Sequence, residues 1–300
     1  MMDMHAAASG VAGPGPAPES RIVATELGDV GIREWGLDRR PTVVLLHGIS
    51  SGSASWSECA ALIASRAHVV AWDAPGYGLS APLPMDRPMA DDYADRLDAL
   101  LDALNIEDCL LVGHSLGALM AAAYASRRPS KALALLLISP ALGYGGKALR
   151  HKAQEVRDKR LQALRRDGIA AMAAALPHRL LSEQASPAQR GLITEVASRL
   201  SAGGYSQAVE MLCAEDMDRF DLSPSTARVY CGELDVVTTP RQSAEFARRA
   251  GLPFDLIDGA GHACYVEQAQ RVADIVFRCL DTVAPMTGAD TRSRGNNDRP

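Results

Sequence analysis

Short apolar runs alternate with amphipathic segments along most of the chain. Six of these runs are rich in leucine, valine, isoleucine or alanine, and they cover residues 42–47, 67–73, 108–114, 132–139, 227–233 and 253–258. Runs that are apolar on both faces are typical of strands buried in a parallel sheet. The pattern therefore predicts a buried, parallel sheet that contains these six strands.

The segments between the runs have the periodicity of helices. In residues 89–104, one stripe of apolar side chains recurs every three or four positions, at Met89, Tyr93, Leu97, Leu100 and Leu104. Residues 115–128 are apolar nearly all round, which predicts a buried helix that ends before Pro129. Alternating strands and helices imply right-handed crossovers, with helices on both faces of the sheet, so the predicted fold class is α/β.

Residues 147–220 break this alternation, because they contain no β-branched strand run and have the pattern of several helices. We therefore predict an α/β core formed by residues 20–146 and 221–283, with a helical cap inserted at residues 147–220. The two ends of the chain, residues 1–19 and 284–300, are rich in small and polar residues. Such segments bury too little apolar surface to order themselves, so both are expected to be disordered tails.

Charge and cysteine content limit the possible partners. The chain has 300 residues and a formal net charge of −5, which gives no indication of nucleic acid or of an anionic membrane surface. No apolar run approaches the roughly 18 residues that a membrane helix needs. The N-terminal residues lack the pattern of a secretory signal, and the six cysteines are scattered singly. We therefore expect a cytoplasmic protein whose cysteines are reduced.

The pentapeptide GHSLG, residues 113–117, follows a predicted strand and opens a predicted helix. A serine in such a sharp turn adopts a strained backbone and projects its hydroxyl from the end of the sheet. Nearby side chains would collide in this turn, which explains Gly113 and Gly117. The helix N-terminus also supplies free N–H groups beside the serine. Ser115 is therefore predicted to be a nucleophile, and His114 to help hold the turn.

A serine hydroxyl is a weak nucleophile until a base accepts its proton. The base is expected downstream of the serine, after an acid. His262 follows the last predicted strand and so lies at the sheet edge where open α/β sheets carry their sites. His151 and His178 fall in the helical insertion instead. We therefore predict that His262 is the base.

The base in turn needs a carboxylate that orients it. Asp235 lies in the loop after the penultimate strand and is the predicted acid. Glu233, which is closer to that strand, and Asp258, which ends the last strand, are the competing candidates. A buried aspartate here would fix the tautomer of the histidine and stabilise its protonated form.

An oxyanion formed during acyl transfer needs two backbone N–H donors. One is predicted to be the N–H of Leu116, directly after Ser115. The other is expected from the loop after the strand at residues 42–47, where Ile49 is the preferred donor and Gly48 the weaker candidate. His47, at the end of that strand, is predicted to make a structural hydrogen bond.

Five segments occur in the order and spacing of the α/β-hydrolase fold superfamily: LLHGISSGSASW, AWDAPGYGLS, GHSLG, GELDVVTTP and GAGHACYVEQ. The chain resembles this superfamily over residues 20–283, and within it the esterases and the enol-lactonases that open 3-oxoadipate enol-lactone. The resemblance implies an eight-stranded, mostly parallel sheet with a helical cap. It also implies a triad of Ser115, Asp235 and His262 and an oxyanion hole of Ile49 and Leu116. The segment at residues 72–80 matches a structural loop of the family.

The expected reaction is hydrolysis of a carboxylic ester or lactone through an acyl-enzyme. Carbon–carbon hydrolysis of meta-cleavage products, or thioester or amide cleavage, would use the same triad. Carbon–carbon hydrolases of this fold usually have Asn before the serine and Trp after the histidine, where this chain has His114 and Ala263. Haloalkane dehalogenases of the fold have an aspartate nucleophile, where this chain has Ser115. A binding receptor with little turnover is the alternative from another class.

Basic residues concentrate at the start of the helical insertion. Residues 147–167 hold eight lysines and arginines against three acids. A field that attracts an anionic substrate is one interpretation, and a solvated helix face is the simpler one. Candidates for the pocket wall are Arg179, Met172, Leu176 and His178. The chain has no nucleotide or metal motif, so no cofactor is expected. The expected partner is a small ester or lactone, and the oligomeric state is not determined by the sequence.

Overall fold

The strands follow the six predicted runs, and two further strands precede them. The computed structural model describes residues 17–223 and 226–287. Within these ranges the strands are β1 Arg21–Val23, β2 Val30–Trp35, β3 Thr42–Leu46, β4 His68–Trp72, β5 Cys109–His114, β6 Ala132–Ile138, β7 Ala227–Gly232 and β8 Phe254–Ile257. Each predicted strand is present, and its ends lie within about one residue of the predicted boundaries.

The described strands form one sheet in the order β1-β2-β4-β3-β5-β6-β7-β8. β2 pairs antiparallel with β1 and with β4, whereas the other neighbouring strands are parallel. The predicted eight-stranded, mostly parallel sheet is therefore confirmed. The apolar pattern missed β1 and β2, because β1 is short and mostly exposed and β2 contains Arg33 and Glu34.

Helices connect the strands and build the insertion. The α-helices of the described ranges are α1 Ser57–Ile63, α2 Ala90–Ala103, α3 Leu116–Arg127, α4 Arg150–Ala175, α5 Pro177–Leu180, α6 Pro187–Ser198, α7 Ala202–Ala214, α8 Pro240–Ala250, α9 Cys264–Glu267 and α10 Ala269–Thr287. Helices α4 to α7 lie between β6 and β7, in the segment predicted as a helical cap, and α4 packs on α6 and α7. None of the helices in these ranges combines the length and apolar character needed to cross a lipid bilayer.

The C-terminal helix differs from the predicted domain boundary. α10 continues to Thr287, past residue 283, where the core was predicted to end. Its apolar stripe includes Val276, Leu280 and Val283, all buried, which keeps the helix packed on the core almost to its end. Of the predicted tails, residues 1–19 and 284–300, positions 1–16 and 288–300 lie outside the described part of the chain, whereas positions 284–287 belong to α10 and so contradict the prediction of a disordered tail there.

Alternate side chains of the central strands pack on opposite faces of the sheet. In β3, Val44 and Leu46 belong to the core that includes α2 and α3. Val43 and Leu45 belong to the second core, with α1 and α10. Every residue of β3 is buried, which explains why its sequence is apolar without alternation.

The direction of the strands brings four loops to one edge of the sheet. β3, β5, β7 and β8 are parallel to one another, so their carboxyl ends share that edge. The segments that follow these strands carry Ile49, Ser115, Asp235 and His262 in turn. Open α/β sheets bind their ligands at this edge, and the helical insertion follows β6 there.

Candidate active site

Ser115 lies in a tight turn between β5 and α3. Its φ of 52° and ψ of −115° lie where a non-glycine residue is strained, at a cost on the order of 1–3 kcal/mol. Backbone hydrogen bonds hold the turn: the Ser115 N–H donates to the Ile138 carbonyl at 3.0 Å, and the Ser115 carbonyl accepts from Ala118 and Ala141. The serine side chain therefore lies at the end of the sheet, beside the N-terminus of α3.

Gly113 and Gly117 flank this turn because their surroundings leave no space for a side chain. A Cβ on Gly113 would lie 2.6 Å from the Gly117 carbonyl oxygen. A Cβ on Gly117 would lie 2.7 Å from the His47 carbonyl oxygen and nearer still to that of Leu46. The colliding atoms belong to the backbone of α3 and β3, so the two glycines allow the start of α3 to approach the sheet closely.

Ser115 and His262 line one cavity of about 430 Å³ between the sheet edge and the helical insertion. Both residues are almost buried, with 6% and 4% of their surface exposed. The insertion contributes Arg160, Leu176 and Ile193, among others, to the wall. A cavity of this size accommodates a small molecule.

His262 is oriented by Asp235. The imidazole Nδ1 lies 2.8 Å from the Asp235 Oδ2. Because the carboxylate accepts a hydrogen bond, Nδ1 carries the proton and Nε2 is the nitrogen with a free lone pair. Asp235 itself does not line the cavity but lies behind the histidine, 3% exposed. The arrangement therefore leaves the basic nitrogen of His262 for a proton from the cavity side.

Asp235 is held by a turn of its own loop. Its Oδ1 accepts from the N–H groups of Val237 at 2.7 Å and Thr238 at 3.1 Å. The Thr238 hydroxyl lies 3.0 Å from Oδ2 and 3.2 Å from the His262 Nδ1. Burial alone would raise the pKa of the Asp235 carboxyl, but the hydrogen bond and positive charge of His262, with the Val237 N–H, lower it to about 2. Asp235 is therefore ionised at all ordinary pH values.

The competing residues are engaged elsewhere. Glu233 accepts a hydrogen bond from the Gly259 N–H at 2.9 Å, and Asp258 forms an ion pair with Arg271 at 2.8 Å. His151 and His178 are exposed on the helical insertion. Of the candidate acids and bases, Asp235 and His262 are the two in mutual contact.

The orientation of the Ile49 and Leu116 N–H groups follows from the carbonyls of the same peptide groups, those of Gly48 and Ser115. Both carbonyls accept hydrogen bonds from other residues. The Gly48 carbonyl accepts from His47 Nδ1 at 2.8 Å, and the Ser115 carbonyl accepts from Ala118 and Ala141. In a trans peptide the N–H points opposite the carbonyl, so both N–H groups face away from these partners. Ile49 and Leu116 both line the cavity, and a Cβ on Gly48 would lie 3.0 Å from the Ser115 Cβ.

The two buried histidines beside the site make structural hydrogen bonds. His114 Nε2 donates to the His262 carbonyl at 2.8 Å. His47 Nδ1 donates to the Gly48 carbonyl, and its Nε2 accepts from the Ala74 N–H at 2.9 Å. Burial lowers the pKa of both residues, and for His114, which also lies beside His262, to about 3. Both rings are therefore neutral and tie the loops of the site together.

Several residues of the site were missed or only partly predicted. Thr238 contacts both Asp235 and His262; an aspartate followed by a turn is a sequence signal for such local hydrogen bonds. Arg179 and Leu176 line the cavity as expected, whereas Met172 and His178 are not part of the described wall. Arg160 was counted among the basic residues but not assigned to the pocket. No group of three or more histidine, cysteine or acidic residues suited to a metal ion occurs within the described ranges.

Comparison with known proteins agrees with this architecture. A model of the alpha/beta hydrolase family matches residues 43–275. An uncharacterized protein of Mycobacterium tuberculosis is 29% identical over 273 residues, covering 82% of this chain and 76% of that protein.

Two examples from the solved structures share the fold over almost their whole length. An esterase from Thermogutta terrifontis is 24% identical, with a TM-score of 0.75 over 88% of this chain and 99% of its own. An enol-lactonase from Burkholderia xenovorans is 23% identical, with a TM-score of 0.76 over 87% of this chain and 100% of its own. At this level of sequence identity, the likeness shows that the fold is shared.

Proposed function

The chain belongs to the alpha/beta hydrolase family, and from this premise we propose that it is a serine hydrolase that cleaves a carboxylic ester or a lactone through an acyl-enzyme. The observation that carries the proposal is the 2.8 Å contact between His262 and Asp235 beside the cavity that Ser115 lines. The site thus combines a nucleophile, a base with a free nitrogen and an ionised carboxylate.

In the first step the Ser115 Oγ attacks the acyl carbon, and its proton passes to the His262 Nε2. The ionised Asp235 stabilises the imidazolium that results, because opposite charges interact strongly where water is excluded. The bond between the acyl carbon and the leaving oxygen then breaks, and His262 returns the proton to that oxygen. For a lactone, the alcohol stays attached to the acyl group.

The negative charge on the acyl oxygen is stabilised by the N–H groups of Ile49 and Leu116. Both line the cavity, and their peptides are fixed through carbonyls that are hydrogen-bonded on the opposite side. The N-terminus of α3 adds its dipole at the same point. Loss of one such donor typically lowers kcat by about 100- to 1000-fold.

In the second step water attacks the acyl-enzyme. His262 takes a proton from the water and gives it to Ser115 as the acyl–oxygen bond breaks, which releases the carboxylic acid and restores the enzyme. The net reaction consumes one water and forms one acid and one alcohol. Every proton transfer passes through His262, so the residues named here are sufficient for the cycle.

We infer that oxygen esters are the preferred substrates, and the support is that two of the solved structures that share the fold are an esterase and an enol-lactonase. The test is turnover of a panel of phenyl esters, lactones, thioesters, anilides and meta-cleavage products by the wild-type chain and by Ser115→Ala. The proposal expects the highest kcat/KM on an ester or lactone, and its loss in Ser115→Ala. Preference for another bond class, or full activity of the variant, would overturn it.

A further inference from the structure

The wall of the active-site cavity has an uneven charge. Three basic side chains of the helical insertion line it, namely Lys152, Arg160 and Arg179. Among the described lining residues there is no aspartate and no glutamate. Asp235 lies behind His262 and is engaged with it. A ligand in this cavity therefore faces positive charge that the wall itself does not neutralise.

Besides Arg219, which pairs with Glu215, four basic residues of the insertion form ion pairs with neighbouring acids. These ion pairs are Arg157–Glu210 at 2.9 Å, Lys152–Glu155 at 3.0 Å, Arg166–Asp167 at 2.6 Å and Arg199–Glu195 at 2.6 Å. Neighbouring acids therefore balance only part of the positive charge of the insertion. Arg160 and Arg179 of the cavity wall are among the basic residues that, within the described part of the chain, form no ion pair with an acid.

Arg160 Nη1 donates to the phenolic oxygen of Tyr205, a buried and neutral partner, at 3.2 Å. Within the described ranges, neither Arg160 nor Arg179 forms an ion pair with a carboxylate. Arg179 remains accessible to solvent. Even so, partial burial lowers the pKa of its guanidinium, and repulsion from Arg160 lowers it further. The two guanidinium groups therefore repel each other, and within the described ranges neither pairs with a carboxylate.

We propose that Arg160 and Arg179 form a recognition site for a carboxylate carried by the substrate, so that the preferred substrate is an anionic ester or lactone. This inference rests on the function proposed above and deepens it by naming the substrate class. Arginine suits the role because its planar fork of donors matches the two oxygens of a carboxylate. A bound carboxylate would also remove the repulsion between the two guanidinium groups.

The site requires that the anion and the scissile bond occupy the same cavity. Ser115 and His262 line the sheet side, whereas α4 and α5 supply Arg160 and Arg179. The wall of the same cavity also includes the apolar residues Leu176, Leu180 and Ile193. A substrate with an acyl group at one end, an apolar spacer and a carboxylate at the other end matches this arrangement.

The first measurement compares two esters that differ in one group. Monophenyl adipate and phenyl hexanoate have acyl chains of equal length and the same leaving group, but the first ends in a carboxylate and the second in a methyl group. Charge-assisted hydrogen bonds of this kind are worth about 10- to 100-fold in binding. We expect kcat/KM to be higher for monophenyl adipate by about that factor, and the preference to shrink as salt is added.

Substitutions test whether Arg160 and Arg179 cause the preference for monophenyl adipate. Arg179→Met and Arg160→Met keep much of the side-chain length and remove the charge, and each is expected to reduce the ratio of kcat/KM for monophenyl adipate to that for phenyl hexanoate by about 10-fold or more. Arg179→Lys should recover part of the loss. Arg165→Met is the matched control, because Arg165 is an exposed arginine of α4 that does not line the cavity.

Binding measurements on a variant that lacks the nucleophile distinguish this inference from the proposed function. Calorimetry on Ser115→Ala measures the affinities for the two esters when the nucleophile is absent, and monophenyl adipate should bind about 10-fold or more tightly. If the chain turns over no ester but this difference persists, the proposed function fails and the anion site stands. If both esters bind equally, or if Arg165→Met has the same effect as Arg179→Met, the anion site is wrong even when the esterase activity is real.

Discussion

His262 and Asp235 are 27 residues apart in the chain, and their side chains meet at 2.8 Å in the interior. The contact is buried on both sides, with 4% of the His262 side chain and none of the Asp235 side chain exposed. A buried carboxylate in this position decides which nitrogen of the imidazole carries the proton. The chemistry proposed for Ser115 therefore depends on it.

Asp235→Asn tests this dependence. An amide in place of the carboxylate removes the charge that stabilises the imidazolium and favours the wrong tautomer, so kcat should fall by about 10³- to 10⁴-fold. Glu233→Gln is the matched control, because Glu233 is an acid of the same loop that contacts Gly259 and not His262. Its kcat should stay close to that of the wild type. Equal losses in the two variants would show that Asp235 is not the orienting acid.

The lowered pKa of Asp235 also predicts how stability depends on pH. The carboxyl has a pKa of about 2 in the folded chain against an ordinary value of 3.8. A depressed folded pKa stabilises the fold above the unfolded pKa, and this contribution is lost as the pH falls through the folded pKa. The free energy of unfolding should thus lose about 2 kcal/mol from this group between about pH 4 and pH 2.

Urea titrations of the wild type and of Asp235→Asn at several pH values measure that contribution. The difference between the two chains should shrink by about 2 kcal/mol as the pH is lowered from about 5 to 2. A difference that does not change with pH would mean that Asp235 has an ordinary pKa in the folded chain.

The two glycines of the nucleophile turn predict a large steric effect. A methyl group on Gly117 would meet backbone atoms of Leu46 and His47, so Gly117→Ala should lower the free energy of unfolding by about 3 kcal/mol or more. Gly203→Ala is the control, since a Cβ there has no heavy atom within 4 Å and Gly203 belongs to α7. It should raise stability by about 0.5 kcal/mol. Similar effects of the two substitutions in thermal unfolding would contradict the packing described for α3.

Substitution of His114 is expected to lower the stability of the fold without changing the pH dependence of kcat/KM. Its pKa of about 3 keeps it neutral over the working range, so it cannot contribute to the acid limb of kcat/KM. His114→Phe removes the donor to the His262 carbonyl and should cost about 1–3 kcal/mol of stability. The midpoint of the acid limb should not move. A shifted midpoint in a chain that still folds would assign a titration of the active enzyme to His114.

The interior of the sheet was predictable from the sequence, because strands buried on both faces have continuous apolar runs. β3 and β5 are examples: every residue in them is buried. β1 and β2 were not predictable in this way, since their place in the sheet depends on antiparallel pairing at one edge. For such strands tertiary contacts, and not local apolar character, select the structure.

The site was predictable where local geometry demands particular residues. Ser115 is recognisable from the sequence because it lies between two glycines in a strained turn, and backbone strain concentrates at functional sites. Asp235 was the predicted acid, with Glu233 and Asp258 as competitors, and it is distinguished from them by its contact with His262, which depends on how two loops pack. Arg179 was a candidate for the pocket wall and Arg160 was not, because packing alone decides whether a helix face in the insertion borders the cavity or solvent.

The most direct test of the nucleophile is labelling by a fluorophosphonate probe, followed by identification of the modified peptide by mass spectrometry. The probe reacts with a serine only when a neighbouring base activates it. The wild-type chain should be modified on Ser115, and Ser115→Ala should take up no label although it melts as a folded protein. Undiminished labelling of Ser115→Ala, or a label found on another residue of the wild type, would contradict the proposed role of Ser115.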